Sequence, residues 1–548
     1  MPHTVKVAVI GSGLAGLTAA YLLAKPRVDD PVHFEVHLFE RASTIGMGAS
    51  SVSVPLPNSG DSWSVDVPMR SFQGGYYPQL IALYKSLGVA FRQADFSYSF
   101  SLLTPPTKDR GRKITATMIY NGGSGRAGVS MPSILNSQRS KNQSFLPFLL
   151  HKTWSTGLFV ILTAQLLLCY VITLFYSLPF WRSSKLSAMK FEDWAKNVAP
   201  QGMLARWTGM DIAWQDYFQT VLLPLFSAVC TAPEMDIFNH PAEEFLDYIW
   251  LTFGTHHYVV VNGVRDVVSH LTANLSHIHL SAPIIGIRPD VQDPRLASIH
   301  YADADKTHTL DGFHHIIFAT QANTAIPLLS EYAASLPGDA RQQRNVLEDL
   351  KRCLESFTYR STIVINHSDE RFLPDDARDR RDLNLVCADW VDSEESLIEG
   401  ERQTSKLCVS PSYTMATHIL ARPEGYPNHF PGVYQTTNPI ISPKKESLLS
   451  AASLERAVLT IEGKAALARL SKQEKRRWWQ CGVEAESQLG ELQGGGRRKD
   501  QKIPGIWICG SFAHAGIPLL EGCVISARNV VEQGILQSEG ASKLSRLW

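Results

Sequence analysis

The chain carries no surplus of either charge: among its 548 residues, 52 Lys+Arg face 52 Asp+Glu. A net charge of zero gives no long-range field to gather nucleic acid. No basic stripe interleaved with aromatics marks a nucleic-acid groove, so no nucleic-acid partner is expected. Cysteine is sparse, eight residues without a single C-x-x-C pair. That excludes a zinc-ribbon pattern and a small disulfide scaffold, and reduced thiols in a cytosol-facing protein are the expectation. The pairs His256-His257 and His314-His315 lie in or beside apolar β-runs, where neighbours point to opposite faces, so no metal site is expected from them. The first apolar run begins close to Met1, so no cleaved leader is expected. The closing Ser545-Arg546-Leu547-Trp548 matches no lipidation or peroxisomal signal.

What the sequence does contain begins at once. Val7 to Ile10 is a short apolar run that suits a buried parallel strand, and Gly11-Ser12-Gly13-Leu14-Ala15-Gly16 follows it. The apolar residues after Gly16 read as a helix. Gly11 allows the tight turn, Gly13 lets the backbone approach a pyrophosphate, and Gly16 lets helix and strand pack closely. The helix N-terminus at Leu14 and Ala15 faces the phosphates. A second strand, His33 to Phe39, ends in Glu40, an acid placed to accept hydrogen bonds from a ribose. Together these predict a dinucleotide-binding βαβ unit. The loop from Arg41 to Ser51, with Gly46 and Gly48 among small polar residues, is expected to run close to the cofactor. Arg70 either places its guanidinium near a phosphate or a flavin oxygen, or is a surface arginine on a loop.

One stretch stands apart. No charged residue occurs between Lys152 and Arg182, and Gly157 to Leu178 is about as long as a membrane-spanning helix. Trp154 and Trp181 flank it as interfacial aromatics do. A single crossing would put the two ends of the chain on opposite sides of a membrane. The segment 157–178 is therefore expected to lie on or dip into a bilayer, or to form a buried or substrate-covering helix. The aromatics that follow, from Phe191 to Phe218, predict a packed core, or a substrate pocket lined by some of them.

Further on, Tyr258 to Leu275 reads as strand, Asn262-Gly263 turn and helix. Pro283 to Ile287, Phe313 to Gln321 and Ile506 to Ala527 add strands with a final helix from about Glu521 to Ile535. Taken with the first βαβ unit, these stretches resemble the flavin-containing amine oxidase superfamily, in a branch of predicted NAD/FAD-binding oxidoreductases, over nearly the whole chain. The resemblance implies an α/β fold: an FAD-binding Rossmann-like domain with an inserted α+β substrate domain. It implies that Ile284 covers the adenine and that Gly510 and Ser511 approach the pyrophosphate and ribityl chain. The backbone around Leu520 and Glu521 would meet the flavin ring, and Arg41 belongs with the cofactor loop. No flavin-linking cysteine, aromatic pair or bridging lysine of the well-studied amine oxidases has a counterpart, so the catalytic side chains are unassigned. His514 is the one ionisable side chain within the flavin motif.

These readings divide the chain into 1–103, 256–330 and 501–540 for FAD binding, and 104–255 and 331–500 for the substrate domain. The expected activity is FAD-dependent removal of a hydride from a C–N or C–C bond of a small, lipophilic substrate. A nicotinamide-dependent dehydrogenase and a non-catalytic flavoprotein partner at a membrane are the alternatives.

Overall fold

The computed structural model describes residues 3–542 apart from 27–30, 49–50, 56–61, 69, 107–110, 137–144, 304–305, 390–406, 424–430, 474–486 and 498–502. Its first strand, His3–Ile10, buries Val5, Val7, Ala8, Val9 and Ile10, so side chains of both faces are covered. This is the behaviour of a central parallel strand. It lies third in a five-stranded sheet, between Val32–Phe39 and His315–Phe318, with His277–His279 and Gly505–Ile508 at the edges. Every pairing in this sheet is parallel. The helices Leu14–Ala24 and Leu520–Asn529 pack together on one face. On the other, Leu329, Leu347 and Leu350 of two further helices join Ala8, Ile10 and Ile316 in one apolar cluster. Strands from both ends of the chain therefore build one parallel sheet.

A second, eight-stranded sheet carries the other half of the molecule. Leu448–Val458 and Thr358–His367 form one end, and Tyr98–Thr104, Lys113–Tyr120 and Val129–Ser130 the other. Only Leu383–Ala388 against Tyr98–Thr104 is parallel among its pairs. Tyr98–Thr104 belongs wholly to this sheet. The boundary placed at residue 103 is thus corrected to before Tyr98. Phe91–Gln93, just before it, is a separate strand in a different sheet. Short helices between Phe191 and Thr252 cover the sheet, and Leu225 and Ala228 pack on Phe100, Leu383 and Leu385.

The long helix Phe145–Ser177 lies along these helices, where Gln165 donates to the Thr208 carbonyl. Its polarity is inverted. The residues facing protein include Ser155, Cys169, Thr173 and Ser177, all buried. The hydroxyls of Thr173 and Ser177 donate to carbonyls one turn back, Cys169 and Thr173. The outward face is Val160, Ile161, Leu168 and Val171. Leu150–Ser177 is long and apolar enough to cross a membrane, and 11% of its most apolar stretch is buried in the protein.

Besides His37, four histidines among the described residues are sealed in the interior: His240, His315, His367 and His514. Burial holds His240 down to about 3 and the other three to about 4, from an ordinary 6.5. The native state thus binds fewer protons than the unfolded chain between these values. Stability present above pH 6.5 is lost as pH falls toward 4, with a slope of about 1.4 kcal/mol per pH unit for each histidine. Thermal melting should accordingly drop steeply between pH 6.5 and 5 and be unaffected by these groups between pH 7 and 8. A melting temperature that is level from pH 7 to 5 would contradict their burial as neutral rings.

Candidate functional site

The glycine loop, the second strand and the following loop form one hydrogen-bonded unit. Glu40 Oε2 accepts from the Ser12 N–H at 3.0 Å and the Ser12 hydroxyl at 2.6 Å, and Oε1 accepts from the Ala42 N–H at 3.0 Å. Ser12 Oγ in turn accepts from the Gly46 N–H at 2.7 Å. Gly46 packs so closely on the loop that a Cβ there would lie 1.6 Å from the Ser12 carbonyl oxygen. Glu40 therefore organises the loop as well as standing where a ribose ligand is expected. Arg41 is exposed on the same loop. The backbone of Ser281 and Ala282 donates to the Ala42 and Glu40 carbonyls, and half-buried Ile284 packs against the apolar cluster that includes Phe39.

Gly13 is exposed, with nothing within 4 Å of where a Cβ would sit, and it leads into a helix whose N-terminus has no side-chain cap. That is an open cradle of backbone N–H groups. The helix Leu520–Asn529 begins nearby, with Cys523 against the Ala15 N–H. Ser526 Oγ binds both the N–H and the carbonyl of Gly510, and a Cβ at Gly522 would lie 2.6 Å from the Ser511 carbonyl oxygen. Gly510 and Ser511 are thus pressed onto this second helix. Leu520 lines the large cavity described below, whereas the Glu521 carboxylate turns away. It accepts from the N–H groups of Gln79 and Leu80, both at 2.9 Å, and caps the helix Pro78–Ser86.

Arg70 is not a surface residue. Its Nε is buried without a hydrogen-bond partner, and its Nη2 donates to the Met47 carbonyl at a long 3.5 Å. Asp66 is near, but its carboxylate accepts from the Val264 N–H at 3.0 Å, at the start of the helix Val264–Thr272. Gly263 makes room for it, since a Cβ there would sit 3.0 Å from Asp66 Oδ1. An uncapped helix start, an open glycine and a buried, under-used guanidinium fit a phosphate-containing flavin cofactor. Buried His514 also leaves Nδ1 unpartnered, and burial keeps the ring neutral.

Where the helix start at Leu519 and Leu520 meets the eight-stranded sheet, a cavity of about 1070 Å³ opens between sheet and helices. Arg70, Tyr77, Leu519, Leu520 and Arg456 line its inner end. Phe159, Leu166, Leu167 and Tyr170 of the long helix form a wall, and Arg126 lies on its lining too. Of the aromatics expected as core or pocket, Phe191, Trp194 and Trp214 are core, Tyr217 lines the cavity and Trp207 is 84% exposed. Neither Asp, Glu nor Lys is among the described lining residues. Burial raises Tyr77, Tyr98, Tyr217 and Tyr248 above the phenol range and holds His257 and His418 to about 4. At neutral pH the charges facing the cavity are therefore arginines.

The sequence reading did not single out Arg456. It lies two residues after Leu454 on Leu448–Val458, and both line the cavity, as alternation along a strand requires. That alternation was its only local signal.

No curated protein sequence matches the chain. Wild-type putrescine oxidase bound to putrescine is similar at 12% identity, over 97% of this chain and 99% of that one, with a TM-score of 0.44. Cyclohexylamine oxidase from Brevibacterium oxydans IH-35A is 11% identical over 98% and 99%, with a TM-score of 0.45. An oxidoreductase from Methanosarcina mazei is 14% identical over 96% and 100%, with a TM-score of 0.46. Residues 9–87 match the family described as NAD(P)-binding Rossmann-like domain, so the glycine loop, its helix and the strand ending at Glu40 are a Rossmann-like dinucleotide-binding unit.

Proposed function

We propose that the protein is an FAD-dependent oxidoreductase acting on a C–N or C–C bond of a lipophilic substrate, and that it works at a membrane. The observation that carries this reading is the junction at Leu519 and Leu520. The uncapped starts of two helices converge there, and the large, mainly apolar cavity begins at the same point. A bound flavin would supply the hydride acceptor. Gly13 and the helix start at Leu14 would hold its phosphates, Glu40 a ribose, and Arg70 an electronegative edge. The apolar walls would orient the substrate and exclude water. No carboxylate or neutral histidine with an ordinary pKa is available among the described lining residues, which suits a reaction whose hard step belongs to the cofactor.

The test is the absorbance spectrum of the purified protein, followed by anaerobic addition of long-chain substrates. A yellow protein is expected, with the colour released into the supernatant on acid precipitation and bleached by an apolar substrate. A colourless protein that binds a nicotinamide nucleotide instead would overturn the FAD reading.

A further inference from the structure

The inner end of the cavity holds two guanidinium groups and no acid. Arg456 Nε donates to Thr231 Oγ1 at 3.4 Å, a long contact, and forms no ion pair among the described residues. Its cross-strand neighbour Arg360 shows the contrast, because Asp236 receives Arg360 in a fork at 2.5 and 2.9 Å. Arg70, the other guanidinium, lies close enough to Arg456 for the two to repel. Arg70 has the Asp66 carboxylate near it, but Arg456 has no carboxylate partner among the described residues. An enclosed charge without a counter-ion is costly, and a guanidinium presents a fork matched to a carboxylate or phosphate. Away from Arg456 the walls become apolar, through Leu225, Tyr217, Leu166 and Phe159.

We propose that the substrate is an elongated apolar molecule bearing an anionic group, and that Arg456 is the positioning residue that holds this group near the reacting bond. The proposal rests on the cavity being the substrate chamber, as argued above. An ammonium-bearing substrate would instead place its cation against Arg456 and Arg70 with no acid to receive it. A fatty carboxylate is the simplest molecule that meets the requirement. Its head would sit between Thr231 and Arg456, and its chain would run along the wall made by the long helix.

The test compares three probes of one chain length, decanoate, decanol and decylamine, by calorimetric titration of the purified full-length protein. Decanoate is expected to bind roughly ten- to a hundredfold tighter than decanol, the range for hydrogen bonds to a charged group, with decylamine weakest. Arg456→Gln should erase the carboxylate–alcohol difference while leaving decanol affinity and bound flavin unchanged, and Arg456→Lys should restore part of it. Equal binding of decanoate and decanol, or tighter binding of decylamine, would overturn the proposal in the wild type alone, whether or not the variants fold. So would an Arg456→Gln protein that loses flavin but keeps the carboxylate preference, since the arginine would then serve the cofactor. Wild-type protein that lacks flavin yet prefers decanoate would sink the FAD reading and leave this one standing.

Discussion

A Gly16→Val variant is expected to give no folded, flavin-binding protein, while Gly13→Ala folds normally and binds flavin at least tenfold more weakly. The two glycines lie three residues apart and act through different neighbours. A Cβ on Gly16 would sit 1.9 Å from the Gly11 carbonyl oxygen and 3.1 Å from the Ala319 Cβ. Backbone atoms cannot yield there without separating the first helix from the sheet, and Ala15, Leu17 and Ala19 around it are all buried. Overpacking alone costs about 1–3 kcal/mol when side chains can adjust, and more where only backbone can. Gly13 has φ −65° and open space above it, so alanine meets neither strain nor clash in the protein. The methyl would stand where a pyrophosphate approaches the backbone, and a tenfold loss corresponds to about 1.4 kcal/mol. Flavin content, flavin release rate and melting temperature separate the outcomes. Wild-type flavin retention in Gly13→Ala would mean that this loop does not face the cofactor.

That contrast also marks what the sequence discloses. Close approach at Gly16 is local, since its nearest atom is the Gly11 carbonyl oxygen in the adjoining turn, whereas Gly11 is hemmed in by Ala319 and Thr320 from far along the chain. The pairing of Gly510 with Ser526 is nearly as local, and it appears within one recognisable stretch. Other roles depend on partners that arrive from far along the chain. Glu521 reaches Gln79 and Leu80 across most of the molecule, so no nearby spacing shows that its carboxylate caps a helix. Asp66 fills the space left by Gly263, which explains that glycine but is invisible from the Asn262-Gly263 turn alone. Arg70 reads equally as surface or site in a loop, and only the assembled fold buries it. Arg456 needs the register of Leu448–Val458 within the eight-stranded sheet before its face is known.

Membrane attachment is the remaining prediction. Exchanging Val160, Ile161, Leu168 and Val171 together for serine is expected to move the protein from the membrane to the soluble fraction with its flavin intact. The argument is the inverted helix. A helix on a water-exposed surface turns its polar residues outward. Here the small and hydroxyl residues face the protein, and the outward side is branched aliphatic, with Trp154 at one end 75% exposed. Trp207, Met203 and Leu204 extend the same exposed apolar surface on the neighbouring short helix. The four chosen side chains are absent from the described cavity lining, so their exchange spares the substrate chamber. Each is about half exposed, and half of a full side-chain burial is about 1 kcal/mol, giving on the order of 4 kcal/mol for the set, or roughly a thousandfold in partitioning. A crossing is not required for this. His315–Phe318 pairs with both His3–Ile10 and Gly505–Ile508, so the chain before and after the helix closes one sheet on one side of the bilayer. A helix bound in this way would lie in the interface, held by apolar area rather than charge. High salt should leave the wild type on membranes and mild detergent should release it. A quadruple variant that stays as firmly bound as the wild type, or a wild type that never binds liposomes, would leave the outward apolar face without its lipid and remove the membrane from the proposed function.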